Sequence, residues 1–168
     1  DPTGVNQLII FQNSITGLEV GDEIGVFDSS GILNSGDCTS QTGELLVGSG
    51  IWTGAQTEIV GIGSVDNCAF GGFQLPGWIS GNSVIIKVYR PSEGVEYPTT
   101  ATYSAGTGIF GDLFMAISEL TDCPECGCTD EAACNYNSEA TTDDGSCQYP
   151  EENFDCDGNC IAELDCLG

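Results

Sequence analysis

The sequence contains no histidine, and only Lys87 and Arg90 are basic against 26 aspartates and glutamates. Without histidine, Ser-His and Cys-His nucleophilic chemistry is excluded. A formal net charge of -24 repels phosphate backbones and anionic headgroups, so neither nucleic acid nor a membrane surface is an expected partner. No apolar run approaches the ~20 residues of a membrane span, so no membrane insertion is expected. P-loop and dinucleotide fingerprints are also missing. Carboxylates are so abundant that no single pair points to glycoside cleavage. Together these absences predict that the chain is not an enzyme.

Helical signals are missing too. No stretch of a dozen residues combines helical periodicity with caps. What the first 121 residues offer instead is a series of short apolar runs broken by glycine-rich turns. Strands are expected at Gln7–Phe11, Glu23–Phe27, Leu45–Gly48, Thr57–Ile62, Ser83–Tyr89 and Leu113–Ile117. Turn signals such as Val20-Gly21-Asp22, Pro76-Gly77 and Pro91-Ser92-Glu93-Gly94 separate them. Many short strands at near-even spacing predict an all-β chain, with a β-sandwich or jelly-roll over residues 1–121. In Ser83–Tyr89, alternation puts Val84, Ile86 and Val88 toward the core and Ile85, Lys87 and Tyr89 on the other face. Each such buried side chain contributes roughly 1.5–3 kcal/mol, enough for this domain to fold without metal.

Composition changes sharply after Thr121. Residues 1–121 carry 13 acidic side chains and two cysteines, whereas 122–168 carry 13 acidic side chains and eight cysteines. Ten cysteines in a chain of this size point to an oxidising, extracellular compartment. A bridge between Cys38 and Cys68 is expected in the first domain. The others are Cys123, Cys126, Cys128, Cys134, Cys147, Cys156, Cys160 and Cys166. Cys123-Pro-Glu-Cys126 is a CxxC, but neither a second CxxC nor histidine accompanies it, which favours disulfides over zinc. With few large apolar residues, a segment this short needs staples or a metal. A disulfide closing a loop of about 15 residues contributes up to ~3 kcal/mol. The pairing of the eight tail cysteines cannot be read from sequence. The chain starts at Asp1 rather than Met, as in a mature or excised fragment whose secretory signal was removed or lies upstream.

Three oxygen-rich clusters lie between the tail cysteines. The first contains Asp130, Asn135, Asn137 and Glu139; the second Asp143 and Asp144; the third Asp155, Asp157 and Asn159. Calcium takes six to eight hard oxygen ligands, and Asp and Asn side chains on tight loops supply them. The third cluster begins like an EF-hand loop, yet its glycine is Gly158 in the fourth position and its twelfth residue is Cys166, so it is not one. The same residues also favour turns without any ion. The density of carboxylates with no basic partner favours calcium as cofactor.

Gly127-Cys-Thr-Asp-Glu-Ala-Ala-Cys-Asn-Tyr-Asn, then Asp143-Asp-Gly-Ser-Cys147 and Asp155-Cys-Asp-Gly-Asn-Cys160, resemble a "GCTD…ACNYN…DDGSC…DCDGNC" repeat. That repeat occurs in secreted and surface proteins of marine bacteria, especially Bacteroidota, and is loosely similar to thrombospondin type 3 calcium repeats. Gly21-Asp-Glu-Ile-Gly-Val-Phe-Asp28 resembles the "GDxIGxFD" β-sandwich segment of such proteins. The resemblance implies an extracellular structural or adhesive protein, a repeat unit or filament subunit that associates with itself or with neighbouring domains of a surface assembly. The alternative is a calcium-assisted carbohydrate-binding module, with Trp52 and Trp78 as candidate glycan contacts. Against that, both tryptophans have a reading as core residues packed under loops. Lys87 has two readings as well: an isopeptide partner of Asp or Asn, or an ammonium reaching a carboxylate.

Overall fold

The structure, a computed structural model, describes residues 5–34, 36, 38–39, 41–122, 126–140, 142–143, 147–150 and 154–156. Two compact units divide between Pro124 and Glu125, three residues beyond the composition change. The first unit contains β1 (Asn6–Phe11), β2 (Glu23–Ile32), β3 (Thr42–Ile51), β4 (Thr57–Ile62), β5 (Val65–Asp66), β6 (Gln74–Leu75), β7 (Val84–Arg90), β8 (Val95–Ala105) and β9 (Met115–Asp122). A 3-10 turn covers Cys68–Phe70. In the second unit, β10 (Cys126–Gly127) pairs in parallel with β11 (Thr142–Asp143), and most of the remaining described chain is turns. The chain is thus all-β, a barrel-like sandwich followed by a small disulfide-rich module.

Seven strands form one sheet in the order β3-β2-β7-β8-β9-β1-β4, while β5 and β6 form a separate ribbon. All neighbours in the large sheet are antiparallel except β1 and β9. Its two ends meet again. A Cβ built on Gly48 of β3 would lie 2.7 Å from the Val60 carbonyl oxygen and 3.0 Å from Ile59 Cγ2 of β4. Glycine lets β3 lie against β4, and the sheet wraps around one core.

That core is built by alternation. Ile9 and Phe11 of β1, Ile24 and Val26 of β2, Ile86 and Val88 of β7, and Met115 and Ile117 of β9 are all buried. Trp52, Trp78 and Phe110 complete the cluster from connecting segments. The expected faces of β7 hold for Val84, Ile86 and Val88, but Ile85 is also buried, at 5 % exposure, on the opposite side. Strand positions agree at β1, β2, β4, β7 and β3, with β2 and β3 extending well beyond the apolar runs. The expected Leu113–Ile117 strand is displaced: β9 starts at Met115 and runs to Asp122. The longest strand, β8, lies in a segment where none was expected.

The Cys38–Cys68 bridge forms, with 5.9 Å between Cα atoms. In the tail, Cys128 bonds Cys147 and Cys134 bonds Cys156. Cys123, Cys160 and Cys166 lie outside the described residues, and of Cys126 only the backbone is described. No described cysteine is free, consistent with an oxidising environment. Among the described residues, no helix is long and apolar enough to cross a membrane.

Candidate functional site

The segment Gly21–Asp28 uses its two aspartates for structure. Asp22, immediately before β2, and Ile24, Val26 and Asp28 within it alternate along the chain, and all four are buried. Asp28 is fully buried. Its Oδ1 accepts hydrogen bonds from Ser30 N–H at 2.8 Å and Asn82 Nδ2 at 2.8 Å, and Oδ2 accepts one from Ile79 N–H at 2.7 Å. The ladder between β2 and β3 shifts register between Asp28 and Gly31, so Asp28 supplies an acceptor where a bulge interrupts the regular pairing. It also ties β2 to the loop before β7.

Asp22 does the corresponding work just before β2 begins. Its Oδ2 accepts the Glu19 N–H at 2.8 Å and Arg90 Nη2 at 3.0 Å, while Arg90 Nε donates to Oδ1 at 3.2 Å. Arg90 Nη2 also donates to the Gly17 carbonyl at 2.8 Å, and the guanidinium lies over the Tyr97 ring. Hydrogen bonding to Asp22 holds Arg90 in its charged form, strengthened by the charges of Asp22, Glu19 and Glu93 and opposed by burial. Sequence reasoning did not assign these roles. The usable signal was the Asp-x-Ile-x-Val-x-Asp alternation, which puts both carboxylates on the core face.

Lys87, the other cation, has Nζ 2.6 Å from Glu44 Oε1 and 3.8 Å from Glu96 Oε1, and lies 4.8 Å from the centre of the Phe27 ring. Of its two readings, the ion pair is the one observed. Trp52 and Trp78 are 4 % and 6 % exposed. Trp78 stacks on Phe110 with centroids 5.2 Å apart, and its Nε1 donates to the Gly61 carbonyl at 3.0 Å. As candidate glycan contacts both tryptophans are therefore corrected to core residues, because buried rings offer no face for a sugar.

The tail motif builds consecutive turns. Ala133 N–H donates to the Asp130 carbonyl, Tyr136 N–H to Ala133, and Ala140 N–H to Asn137. The side-chain oxygens of the first cluster reinforce this path. Asp130 Oδ1 accepts Ala132 N–H at 2.9 Å, and Oδ2 accepts the Tyr149 hydroxyl at 2.8 Å. Those two bonds, the backbone one foremost, hold the Asp130 carboxyl below the usual range. Asn137 Oδ1 accepts Glu139 N–H at 3.0 Å, and Asn135 Oδ1 accepts Gln148 N–H at 2.7 Å. Asp155 lines an open cleft of about 410 Å³ with Tyr149 and Phe154. Asp143 enters β11 opposite Gly127. Asp144, Asp157 and Asn159 lie outside the described residues.

A carboxylate oxygen has two acceptor sites, so the two bonds at Asp130 leave about half of its capacity for a hard cation. The Asn137 oxygen likewise keeps one. The chemistry of these donors suits calcium. Among the described residues, however, no three Asp, Glu, Cys or His side chains converge as a metal-binding group. The two described tail disulfides are interleaved, Cys134 lying inside the 128–147 loop and Cys156 beyond it. Comparison of the chain with known family models, characterised proteins and solved structures finds no match.

Proposed function

We propose that this chain is an extracellular structural and adhesive surface protein, one unit of a repeating or filamentous assembly, whose C-terminal module is a connector stiffened by disulfides and calcium. Its role is not catalytic. The interleaved pairing of Cys128–Cys147 and Cys134–Cys156 is the observation that carries this reading. Two crossed loops of this size restrict the unfolded chain strongly and fix a segment whose sequence offers few large apolar residues to bury. Calcium held at Asp130, Asn137 and Glu139, together with the clusters around Asp143 and Asp155, would neutralise charge that otherwise repels. Self-association follows from the same logic, since divalent ions let surfaces of such negative charge approach.

Electron microscopy of concentrated protein tests the assembly. Oligomers or filaments in calcium that disperse in chelator are the expected result. Monodisperse monomers under both conditions would remove the assembly claim.

A further inference from the structure

We propose that the outer face of β2, β7 and β8 carries a binding site for a neutral sugar, one pyranose unit of a polysaccharide. This goes beyond the connector reading and is independent of the tail.

Cross-strand register builds the site. Glu23, Tyr89 and Glu96 form one row across β2, β7 and β8, and Gly25 and Lys87 form part of the next. Phe27 follows two residues further along β2 on the same face. Together these six residues line much of an open cleft of about 170 Å³. Gly25 is its floor: a Cβ there would lie 2.6 Å from Phe27 Cε2, so only glycine lets the ring lean over the sheet. Tyr89, 39 % exposed, stands on the far side between the two glutamates.

The mixture of groups selects the occupant. A pyranose has an apolar C–H face and a rim of hydroxyls that both donate and accept. The exposed Tyr89 ring suits the first, while the Glu23 and Glu96 carboxylates and the Lys87 ammonium, seated over Phe27, suit the second. An acidic sugar would meet Glu23, Glu44 and Glu96 against a single lysine. A cation would find the position over Phe27 already held by Lys87. A cleft of about 170 Å³ has room for one ring rather than a folded partner.

NMR titration of the full chain with laminarihexaose, cellohexaose and mannohexaose tests this, with an alginate hexamer and hexalysine as anionic and cationic probes. At least one neutral hexaose should shift the β2 and β7 amides saturably. Tyr89→Ala should weaken that binding about tenfold or more, and Glu96→Gln, which keeps a polar group in place, should weaken it less. Tyr89 is surface-exposed, and an unchanged spectrum away from β7 verifies that the variant folds. The proposal is overturned if none of the three hexaoses shifts these amides, if Tyr89→Ala binds like the parent, or if only hexalysine or alginate binds there.

Discussion

Replacing Asp28 tests whether a buried carboxylate anchors the wrapped sheet. Asp28→Ala leaves Ser30 N–H and Ile79 N–H without their acceptor and Asn82 Nδ2 with the Ser30 carbonyl alone. Hydrogen bonds to a charged group contribute about 1.5–3 kcal/mol each, and water entering the cavity recovers part of the sum. A net loss of about 3–5 kcal/mol follows, comparable to breaking a buried ionic contact. Asp28→Asn keeps one oxygen but turns an amide nitrogen toward a donor, costing about 2–3 kcal/mol. Both tryptophans, Trp52 and Trp78, lie in the core of the first unit, so their fluorescence follows this domain alone during urea unfolding. With a slope of about 2 kcal/mol/M, Asp28→Ala should lower the midpoint by about 2 M. The exposed control Glu58→Gln should change stability by less than about 0.5 kcal/mol. An Asp28→Ala midpoint no different from that control would refute the anchoring role.

Gly48→Ala places a methyl against the Val60 carbonyl, a backbone atom that cannot turn aside. It should destabilise the same domain by about 1–3 kcal/mol in the same unfolding experiment. Alkaline pH supplies another check. Burial, then the Asp112 charge, pushes Tyr103 up to about 12. Its folded-state value lies above the unfolded one, so its contribution is complete below about pH 10 and lost as pH rises through about 12. Tyr103→Phe should flatten that decline in a pH series of denaturation midpoints. At the acidic end the sign reverses for Asp130, whose carboxyl is lowered by the Ala132 N–H and then by the Tyr149 hydroxyl. Its contribution to the tail is present above about pH 4 and lost as pH falls through the lowered value, which carboxyl NMR titration would follow.

The contrast between β4 and β8 explains what could be read in advance. Thr57–Ile62 combines β-branched residues with flanking turn signals, and the strand has those bounds. Val95–Ala105 is rich in Thr, Ala and Ser and contains Pro98, which argues against a central strand. Pairing with β9 begins only at Thr99, so Pro98 has β7 alone as its neighbour and needs no second partner. That relation is long-range and leaves no local mark. Cysteine spacing foretold Cys38–Cys68, because only two cysteines fall in the first domain. The tail pairing depended on which loops cross. Among the acidic residues, Asp22 and Asp28 were hidden by abundance: their importance comes from burial, which composition does not report.

Calcium linkage tests the connector most directly. Calorimetric melts and limited proteolysis of the full chain should be compared in calcium and in chelator, with disulfides intact. A ligand at ~100 times its dissociation constant that binds only the folded state stabilises it by about 2.7 kcal/mol. The expected result is a tail transition raised by that amount and greater protease resistance in residues 125–168 with calcium present. Superimposable melts and identical digestion patterns would contradict a calcium-stiffened connector and leave disulfides as its only staples.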